Sequence, residues 1–232
     1  MKTTNNRTII TNTMNPTSPL KLSILSMLCL GSLLEAAEIT PTPNLLISKA
    51  GELIFKESGE APLNPTTRFF HGDWKFVEGG MLGTQNETHL ATIRMDHDFN
   101  DVVFQFEIKF LDPGEMFFCS WNKGKGGHSM DAVVNQKTGE LRIIKADLDG
   151  KDGPDVAVVV AKKEGLKIEL DKWYTCTIEQ NGDKAALHFD GQSIEGQHEL
   201  LSVPKFNFFI NVGGNQKTEK TMIRNIALWK AE

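Results

Sequence analysis

The stretch Val102–Phe110, which reads VVFQFEIKF, constrains the fold of this chain more than any other part of it. Large apolar side chains occupy every second position from Val102 to Phe110. A period of two places them on one face of a β-strand, whereas a helix would spread them around its circumference. The alternate positions, which include Gln105, Glu107 and Lys109, then lie on a wetter face. The stretch therefore predicts a sheet with one buried face.

About a dozen short segments of strand-like composition follow one another along the chain. Turn signals such as Asp112-Pro113-Gly114 and Asn181-Gly182-Asp183 separate them, and no long helical period interrupts them. The length of 232 residues suits one sizeable core. We therefore predict an all-β fold, an antiparallel β-sandwich or jelly roll.

Residues 1–37 have the features of a secretory signal peptide. The run Leu20–Leu34 is apolar apart from Lys21 and small residues, and Glu35-Ala36-Ala37 follows it. Such a run is shorter than the roughly 20 residues that span a membrane, and small residues are typical of a cleavage site. We predict cleavage near Ala36 or Ala37, a linker over residues 38–50, a folded domain over residues 51–232, and a secreted or periplasmic bacterial protein. A retained N-terminal anchor is the alternative.

The charge balance bears on the partners of the chain. Removing residues 1–37 takes away three of the 25 basic residues and one of the 30 acidic ones, which leaves a net charge of −7. Phosphate backbones and anionic lipids attract basic surfaces. We therefore expect no nucleic-acid partner and, after cleavage, no membrane span. The sequence leaves the oligomeric state open.

Two cysteines and one acidic segment are candidates for special chemistry. Cys119 and Cys176 lie in strand-like segments and outside any CxxC motif, so two buried thiols are favoured over a disulfide, and no metal site is expected. The segment Asp147–Asp155 carries oxygen ligands of the kind that Ca²⁺ takes. However, Lys151 and Val158 occupy the fifth and twelfth positions of an EF-hand register. A solvated turn is favoured over a Ca²⁺ site, and no cofactor is expected.

Four segments carry a family resemblance: Gly72–Leu82, Asp101–Phe110, Lys172–Gln192 and Ile223–Lys230. They resemble the concanavalin A-like lectin/glucanase superfamily and, more narrowly, the family named the 3-keto-disaccharide hydrolase domain. The resemblance implies a jelly roll of two antiparallel sheets, with the first and last strands paired and sugars bound across one sheet. It transfers no catalytic residue, because the sequence after Pro113 departs from the family's pattern.

The loop that follows Glu115–Trp121 holds the best constellation of functional side chains. Trp121 offers a ring on which a sugar can stack, and Asn122 and Asp131 offer hydrogen-bonding groups. His128 can transfer protons near neutral pH. The alternative is that Trp121 caps the core and that His128 is merely exposed.

Two polar rows offer the floor of a sugar groove. The first row is Gln105, Glu107 and Lys109; the second is Asn207, Phe209 and Asn211, which alternate with the inward-facing Phe206, Phe208, Ile210 and Val212. Alternating donors and acceptors match sugar hydroxyls, so the two rows would form one groove if their strands lie side by side. Otherwise the first row is a solvated face and Phe209 packs under a loop.

Two functional hypotheses follow. Laminarinase-type members of the superfamily place their carboxylates on one strand as Glu-x-Asp-x-(x)-Glu, and Lys109 stands where that Asp would be. By resemblance, the chain would instead hydrolyse or eliminate the glycosidic bond of a 3-keto-glycoside. This route needs one base and one acid. From the residues themselves, and not from the resemblance, we predict His128 and Glu107 as the catalytic pair and Trp121 as the platform. The alternative is a non-catalytic carbohydrate-binding or structural cell-envelope module. In both cases the sequence predicts a carbohydrate partner, and it leaves open whether the chain is an enzyme.

Overall fold

The computed structural model describes residues 39–41, 44–124, 127–147, 156–214 and 218–232. The predicted signal peptide, residues 1–37, and residues 148–155 of the predicted acidic loop lie outside these ranges. No helix within the described ranges is long and apolar enough to cross a membrane. The described residues all belong to one compact unit, Glu38–Glu232.

The described chain consists of fifteen β-strands and one short 3-10 helix, Glu199–Ser202. The strands are β1 (Ala50–Glu57), β2 (Thr67–His71), β3 (Asp73–Val77), β4 (Gly80–Thr84), β5 (Ala91–Phe99), β6 (Val102–Phe110), β7 (Glu115–Asn122), β8 (His128–Asn135), β9 (Glu140–Lys145), β10 (Val158–Lys163), β11 (Tyr174–Asn181), β12 (Lys184–Phe189), β13 (Gln192–Gln197), β14 (Lys205–Gly213) and β15 (Lys220–Ala231). The predicted all-β fold is confirmed.

The strands form two antiparallel sheets. The eight-stranded sheet has the order β13-β12-β11-β6-β15-β4-β3, and β1 pairs with β15 beside it. The seven-stranded sheet has the order β10-β9-β8-β7-β14-β5-β2. The pairing of β1 with β15 confirms the predicted contact between the first and last strands.

The core lies between the two sheets and contains the apolar row of β6. Val102, Phe104, Phe106, Ile108 and Phe110 are at most 1% exposed. The Phe104 ring of the eight-stranded sheet lies 5.0 Å from Phe118 of β7 and 5.1 Å from Phe208 of β14. These contacts join the sheets, and each buried side chain of this size contributes about 1.5–3 kcal/mol. The period-two pattern of the sequence thus marks the inner face correctly.

Two edge strands are not predicted by the sequence pattern. β2 ends the seven-stranded sheet and β13 ends the eight-stranded one. β13 reads QSIEGQ, with Ile194 as its one large apolar residue. An edge strand buries little apolar surface and pairs on one side only, so its sequence carries a weak alternation signal.

A β-bulge at Asn207 changes which side chains of β14 face outward. Asn207 has a φ of 59°, and the pairing of β14 with both neighbours shifts between Phe206 and Phe208. An extra residue in a strand reverses the faces of the residues before it. The prediction that Phe206 faces inward is therefore wrong, and its ring lies 6.1 Å from Trp121 on the outer face.

Residues 44–49, which we call the N-terminal strap, pack against the outer face of the eight-stranded sheet. The carboxylate of Glu179 on β11 accepts hydrogen bonds from the N–H groups of Leu46 (2.8 Å) and Ile47 (3.1 Å). The Ser48 hydroxyl donates to the same carboxylate (2.6 Å). These residues belong to the segment that the sequence predicts as a linker, so this part of the linker is anchored to the sheet.

Candidate functional site

Apart from Asn122, which lies at the end of β7 opposite the buried Lys205, the predicted site residues are divided between the outer faces of the two sheets. Gln105, Glu107 and Lys109 lie on β6, whose neighbours are β11 and β15. The other seven, Trp121, Asn122, His128, Asp131, Asn207, Phe209 and Asn211, lie on β7, β8 and β14 of the seven-stranded sheet.

This division corrects two predictions. The proposed groove between the two polar rows does not form, because β6 and β14 lie in different sheets. Glu107 and His128 cannot act together on one substrate, because the core separates the two outer faces. Alternation along a strand identifies the face of each residue but not the sheet to which the strand belongs.

Gln105 anchors the N-terminal residues instead of lining a groove. Its side-chain nitrogen donates to the carbonyl oxygen of Thr40 (3.0 Å), and its oxygen accepts from the Thr177 hydroxyl (3.2 Å). The residue is buried. Its side chain therefore stabilises the packing of the chain's N-terminal part on the sheet.

Glu107 and Lys109 belong to a charged cluster around Trp173. Glu107 accepts a hydrogen bond from Arg224 Nε (2.5 Å), and the Arg224 guanidinium lies 4.1 Å from the Trp173 ring centre. Lys109 Nζ lies 5.2 Å from the same ring and 4.0 Å from Asp171. This arrangement agrees with the alternative of a solvated face, in which each charge pair and each cation–π contact contributes little to the stability of the fold.

Three aromatic side chains form a continuous strip across the outer face of the seven-stranded sheet. Phe209 of β14 lies 5.4 Å from Trp121 of β7 and 6.1 Å from Phe70 of β2, measured between ring centres. Phe209 is buried, Trp121 is half-buried, and Phe70 is 44% exposed. We call Phe70, Phe209 and Trp121 the aromatic strip; it presents apolar ring surface to solvent at both ends.

A network of polar side chains lies beside the aromatic strip. Arg94 Nε donates to Asp96 Oδ1 (2.7 Å), and Arg68 Nη2 lies 2.8 Å from Asp96 Oδ2. With its amide nitrogen turned toward Asp96 (2.8 Å), the Asn207 side chain accepts from Arg94 Nη2 (2.6 Å). The Arg94 guanidinium also lies 5.5 Å from both phenylalanine rings of the aromatic strip. The network thus holds charged donors and acceptors level with the rings.

The other end of the aromatic strip carries His128 and Asp131 of β8. His128 Nδ1 lies 3.2 Å from Asp131 Oδ1, and the imidazole centre lies 6.0 Å from the Trp121 ring centre. A shift in the pairing of β7 with β8 after Ser120 puts His128 beside Trp121. The structure therefore brings together three members of the predicted loop constellation.

The fourth member, Asn122, and one residue of the second row are hydrogen-bonded within the protein. Asn122 Oδ1 accepts from the N–H of Gly124 (2.9 Å), so its side chain closes a turn. Asn211 Oδ1 accepts from the Thr92 hydroxyl (2.8 Å), and the residue is buried. These asparagines shape the face, and their predicted substrate contacts gain no support from the geometry.

Sequence reasoning missed Phe70, Arg94 and Asp96. The outward row of β5, which includes Thr92, Arg94 and Asp96, shows a period of two in the sequence. That period signals an outward polar row, but the neighbours of β5 are β14 and β2, and only the sheet order reveals this. β2, which supplies Phe70, lacks a clear alternation signal of its own.

Cys119 and Cys176 are both buried free thiols, but they lie on different faces of their sheets. Cys176 of β11 packs in the core between the sheets. Cys119 of β7 instead pairs with Asp131 of β8, and its sulfur lies 3.9 Å from His128 Nε2 on the outer side. The favoured prediction of two buried thiols is confirmed.

Several solved structures share this fold. A carbohydrate-binding module from Bacillus subtilis matches with a TM-score of 0.55 and 16% identity over 71% of this chain and 96% of the other. A protein of unknown function with a galectin-like fold, also from Bacillus subtilis, matches with a TM-score of 0.61 and 10% identity over 80% of this chain and 99% of the other. The β-glucanase of Bacillus licheniformis matches with a TM-score of 0.53 and 12% identity over 79% of this chain and 100% of the other.

The comparison with protein-family models found no match, and neither did the comparison with curated proteins. Membership of the 3-keto-disaccharide hydrolase family therefore stays a prediction. The similarities to solved structures, together with the two antiparallel sheets, identify the chain's fold as a jelly-roll β-sandwich of the concanavalin A-like kind.

Proposed function

We propose that the outer face of the seven-stranded sheet binds a carbohydrate and that the aromatic strip is its platform. The observation that carries the proposal is the aromatic strip itself: the half-exposed Trp121 ring packs on Phe209, and the Arg94–Asp96 network lies against Phe209 on its other side. A pyranose ring has an apolar C–H face, which packs on an aromatic ring, and a rim of hydroxyls, which need donors and acceptors. The face offers both within a few ångströms.

The structural similarities support this proposal. One structure with the same fold is a carbohydrate-binding module and another is a β-glucanase. The predicted secretion is part of the proposal, since extracellular glycans would be the accessible ligands of such a domain. The net charge of −7 that remains without residues 1–37 keeps nucleic acid a poor candidate.

The positions of Asp96 and Asp131 do not fit ordinary glycoside hydrolysis by these two carboxylates. Asp96 on β5 and Asp131 on β8 are three strand spacings apart in the sheet order β8-β7-β14-β5. Neighbouring strands lie about 4.8 Å apart, so these two strands are separated by about 14 Å. Retaining enzymes need carboxyl groups about 5 Å apart and inverting enzymes at most about 9.5 Å. This pair therefore does not fit either mechanism.

The variant Trp121→Ala tests the platform. We expect it to weaken glycan binding at least tenfold, because truncation removes ring surface at the centre of the face; tenfold corresponds to about 1.4 kcal/mol. The wild type is first screened on a glycan array, and the best glycan is then titrated into both proteins by calorimetry. The matched control is Trp173→Ala, since Trp173 is a half-buried tryptophan on the opposite outer face.

Two results would overturn the binding proposal. The first is a wild type that retains no glycan on the array while circular dichroism shows it to be folded. The second is an equal loss of affinity in the Trp121 and Trp173 variants, which would point to a general loss of structure.

A second candidate function is the cleavage of 3-keto-glycosides, which the His128–Asp131 pair favours. The Asp131 carboxylate orients the imidazole, and the ring stands beside the platform at Trp121. A 3-keto group acidifies the proton at C2, so one oriented base begins an elimination without a two-carboxylate pair. In this version His128 acts without Glu107, which lies on the other sheet.

Turnover of a 3-keto-glycoside by wild type and His128→Ala tests this candidate. We expect the variant to lose about 100-fold or more in kcat, the usual contribution of a positioned general base. Equal turnover would remove His128 from the mechanism. Glycan binding without any turnover in the wild type would assign the domain to non-catalytic binding modules.

A further inference from the structure

The pairing of β7 with β8 brings three metal-ligating side chains together beside the aromatic strip. Cys119 is directly opposite Asp131 in this pairing, and His128 enters the strand three residues before Asp131. One sulfur, one imidazole nitrogen and one carboxylate oxygen from the three residues all lie within 4.8 Å of one another. His128 and Asp131 lie nine and twelve residues after Cys119 in the sequence. The three side chains therefore come together only because β7 pairs with β8.

The spacing of these atoms fits a small tetrahedral cation. Zinc binds sulfur at about 2.3 Å and nitrogen or oxygen at about 2.0–2.2 Å, which places ligand atoms roughly 3.3–3.6 Å apart. The Cys119 sulfur lies 3.9 Å from His128 Nε2. All three ligand atoms lie within 4.8 Å of one another, so binding requires side-chain rotation at His128 and Asp131, whose side chains are 37% and 20% exposed.

The cluster is buried on one side and open on the other. Cys119 is 2% exposed, whereas the His128 and Asp131 side chains are 37% and 20% exposed. A cation would therefore enter from the outer face and keep its fourth position toward solvent, as in zinc sites that bind an exchangeable ligand. Asn211 Nδ2 lies 3.6 Å from the sulfur and can donate a hydrogen bond to a thiolate, the supporting contact expected around a metal ligand.

We propose that Cys119, His128 and Asp131 form a binding site for a divalent transition-metal ion of the zinc type. A thiolate, an imidazole and a carboxylate together select borderline-soft cations over Ca²⁺ or Mg²⁺, which take oxygen ligands. The site departs from the expectation that no metal would be bound, because that expectation depends on ligand spacing along the chain and not on strand pairing. The inference does not depend on sugar binding.

Binding has a definite proton balance. Cysteine binds a metal as the thiolate, whereas a free thiol, with an ordinary pKa of about 8.5, carries its proton at neutral pH. The metal–sulfur bond replaces the S–H bond, so each bound ion releases this one proton to the buffer.

Titration of the purified, metal-free chain with Co²⁺ tests the site. We expect one equivalent to produce a thiolate-to-cobalt charge-transfer band, together with the intense visible bands of tetrahedral cobalt, and Zn²⁺ to abolish both. Calorimetry of Zn²⁺ in two buffers of different ionisation enthalpy should show the release of about one proton per ion from the thiol. Cys119→Ser should lose the charge-transfer band, while the matched control Cys176→Ser, which changes the other buried cysteine, should keep it.

Asp131→Asn and His128→Gln guard against a folding defect, because both change partly exposed side chains. Each should weaken Co²⁺ binding by about tenfold or more. The proposal is overturned if wild type shows no charge-transfer band at millimolar Co²⁺, or if the band survives in Cys119→Ser. Failure here leaves glycan binding by the Trp121 platform unaffected, so the two proposals are separately testable. Zn²⁺ would also inhibit any turnover that uses free His128 as a base.

Discussion

Replacing Glu179 with alanine is expected to lower the free energy of unfolding by about 3–5 kcal/mol, because each buried donor left without a partner costs about 1–3 kcal/mol. The Glu179 carboxylate is fully buried and accepts four hydrogen bonds. Three of these hydrogen bonds come from the N-terminal strap, and the fourth joins the Glu179 carboxylate to His188 Nε2 at 2.5 Å. Truncation leaves the backbone N–H groups of Leu46 and Ile47 without this acceptor.

Urea unfolding followed by circular dichroism measures this loss. The matched control is Glu195→Ala, which changes an exposed glutamate on the same sheet and should stay within about 0.5 kcal/mol of wild type. In the Glu179→Ala variant, the N-terminal strap should also become susceptible to limited proteolysis. A Glu179 variant as stable and as protease-resistant as Glu195→Ala would show that the strap is held by other contacts.

The Glu179 carboxylate also makes the stability of the folded protein depend on pH. Burial raises the pKa of Glu179, but the hydrogen bonds from His188, Ser48 and the strap backbone outweigh it, so the pKa lies below its ordinary value of 4.5. The unfolded chain therefore takes up the proton first as pH falls. The stabilisation is complete above about pH 4.5 and is lost as the pH drops through the folded pKa. The stability gap between wild type and Glu179→Gln should narrow over this interval.

Replacing Lys205 with methionine is expected to raise the free energy of unfolding at pH 7 by about 1–3 kcal/mol. Lys205 begins β14, is 1% exposed, and donates from Nζ to the carbonyl oxygen of Asn100 (3.2 Å). Burial lowers its pKa to about 8, although the nearby Asp101 carboxylate opposes the change. Methionine fills a similar volume without the desolvated charge.

The sign of the pH effect provides a second test. Between about pH 8 and the ordinary Lys pKa of 10.5, the unfolded chain holds a proton that the native chain has lost. Wild-type stability therefore rises across this interval, and the advantage of Lys205→Met shrinks. Urea unfolding at pH 7 and pH 10 measures both proteins, with Lys184→Met on the exposed side of β12 as the control. The expected charge penalty would be contradicted if Lys205→Met were less stable than wild type at pH 7 and the difference in unfolding free energy between the two proteins were the same at pH 10.

Part of the candidate site can be predicted from the sequence alone. Trp121, His128 and Asp131 flank one loop, and local neighbours along a hairpin stay neighbours in space. The alternation of β14 also places Phe209 on the outward face with Asn207 and Asn211. The grouping fails for Glu107, because its strand joins the other sheet.

Two local features lie beyond the reach of the sequence pattern. The bulge at Asn207 reverses the face of Phe206, and nothing in the alternation of β14 marks the extra residue. Cys119 has no metal-ligand motif around it in the sequence, because His128 and Asp131 follow only after a loop and a strand pairing with its own shift. Register is set by the pairing of two strands, so one strand's pattern does not contain it.

By itself, the sequence determined that Val102–Phe110 is a strand with one buried face and that the chain is an all-β sandwich. These conclusions depend on the two-residue period, which each strand carries within itself. The tertiary structure alone decided which strands share a sheet, and therefore that Phe209 meets Trp121, Phe70 and Arg94 while Glu107 meets Arg224. Sheet order arises from contacts between segments far apart in the chain, and these contacts depend on the packing of the whole core.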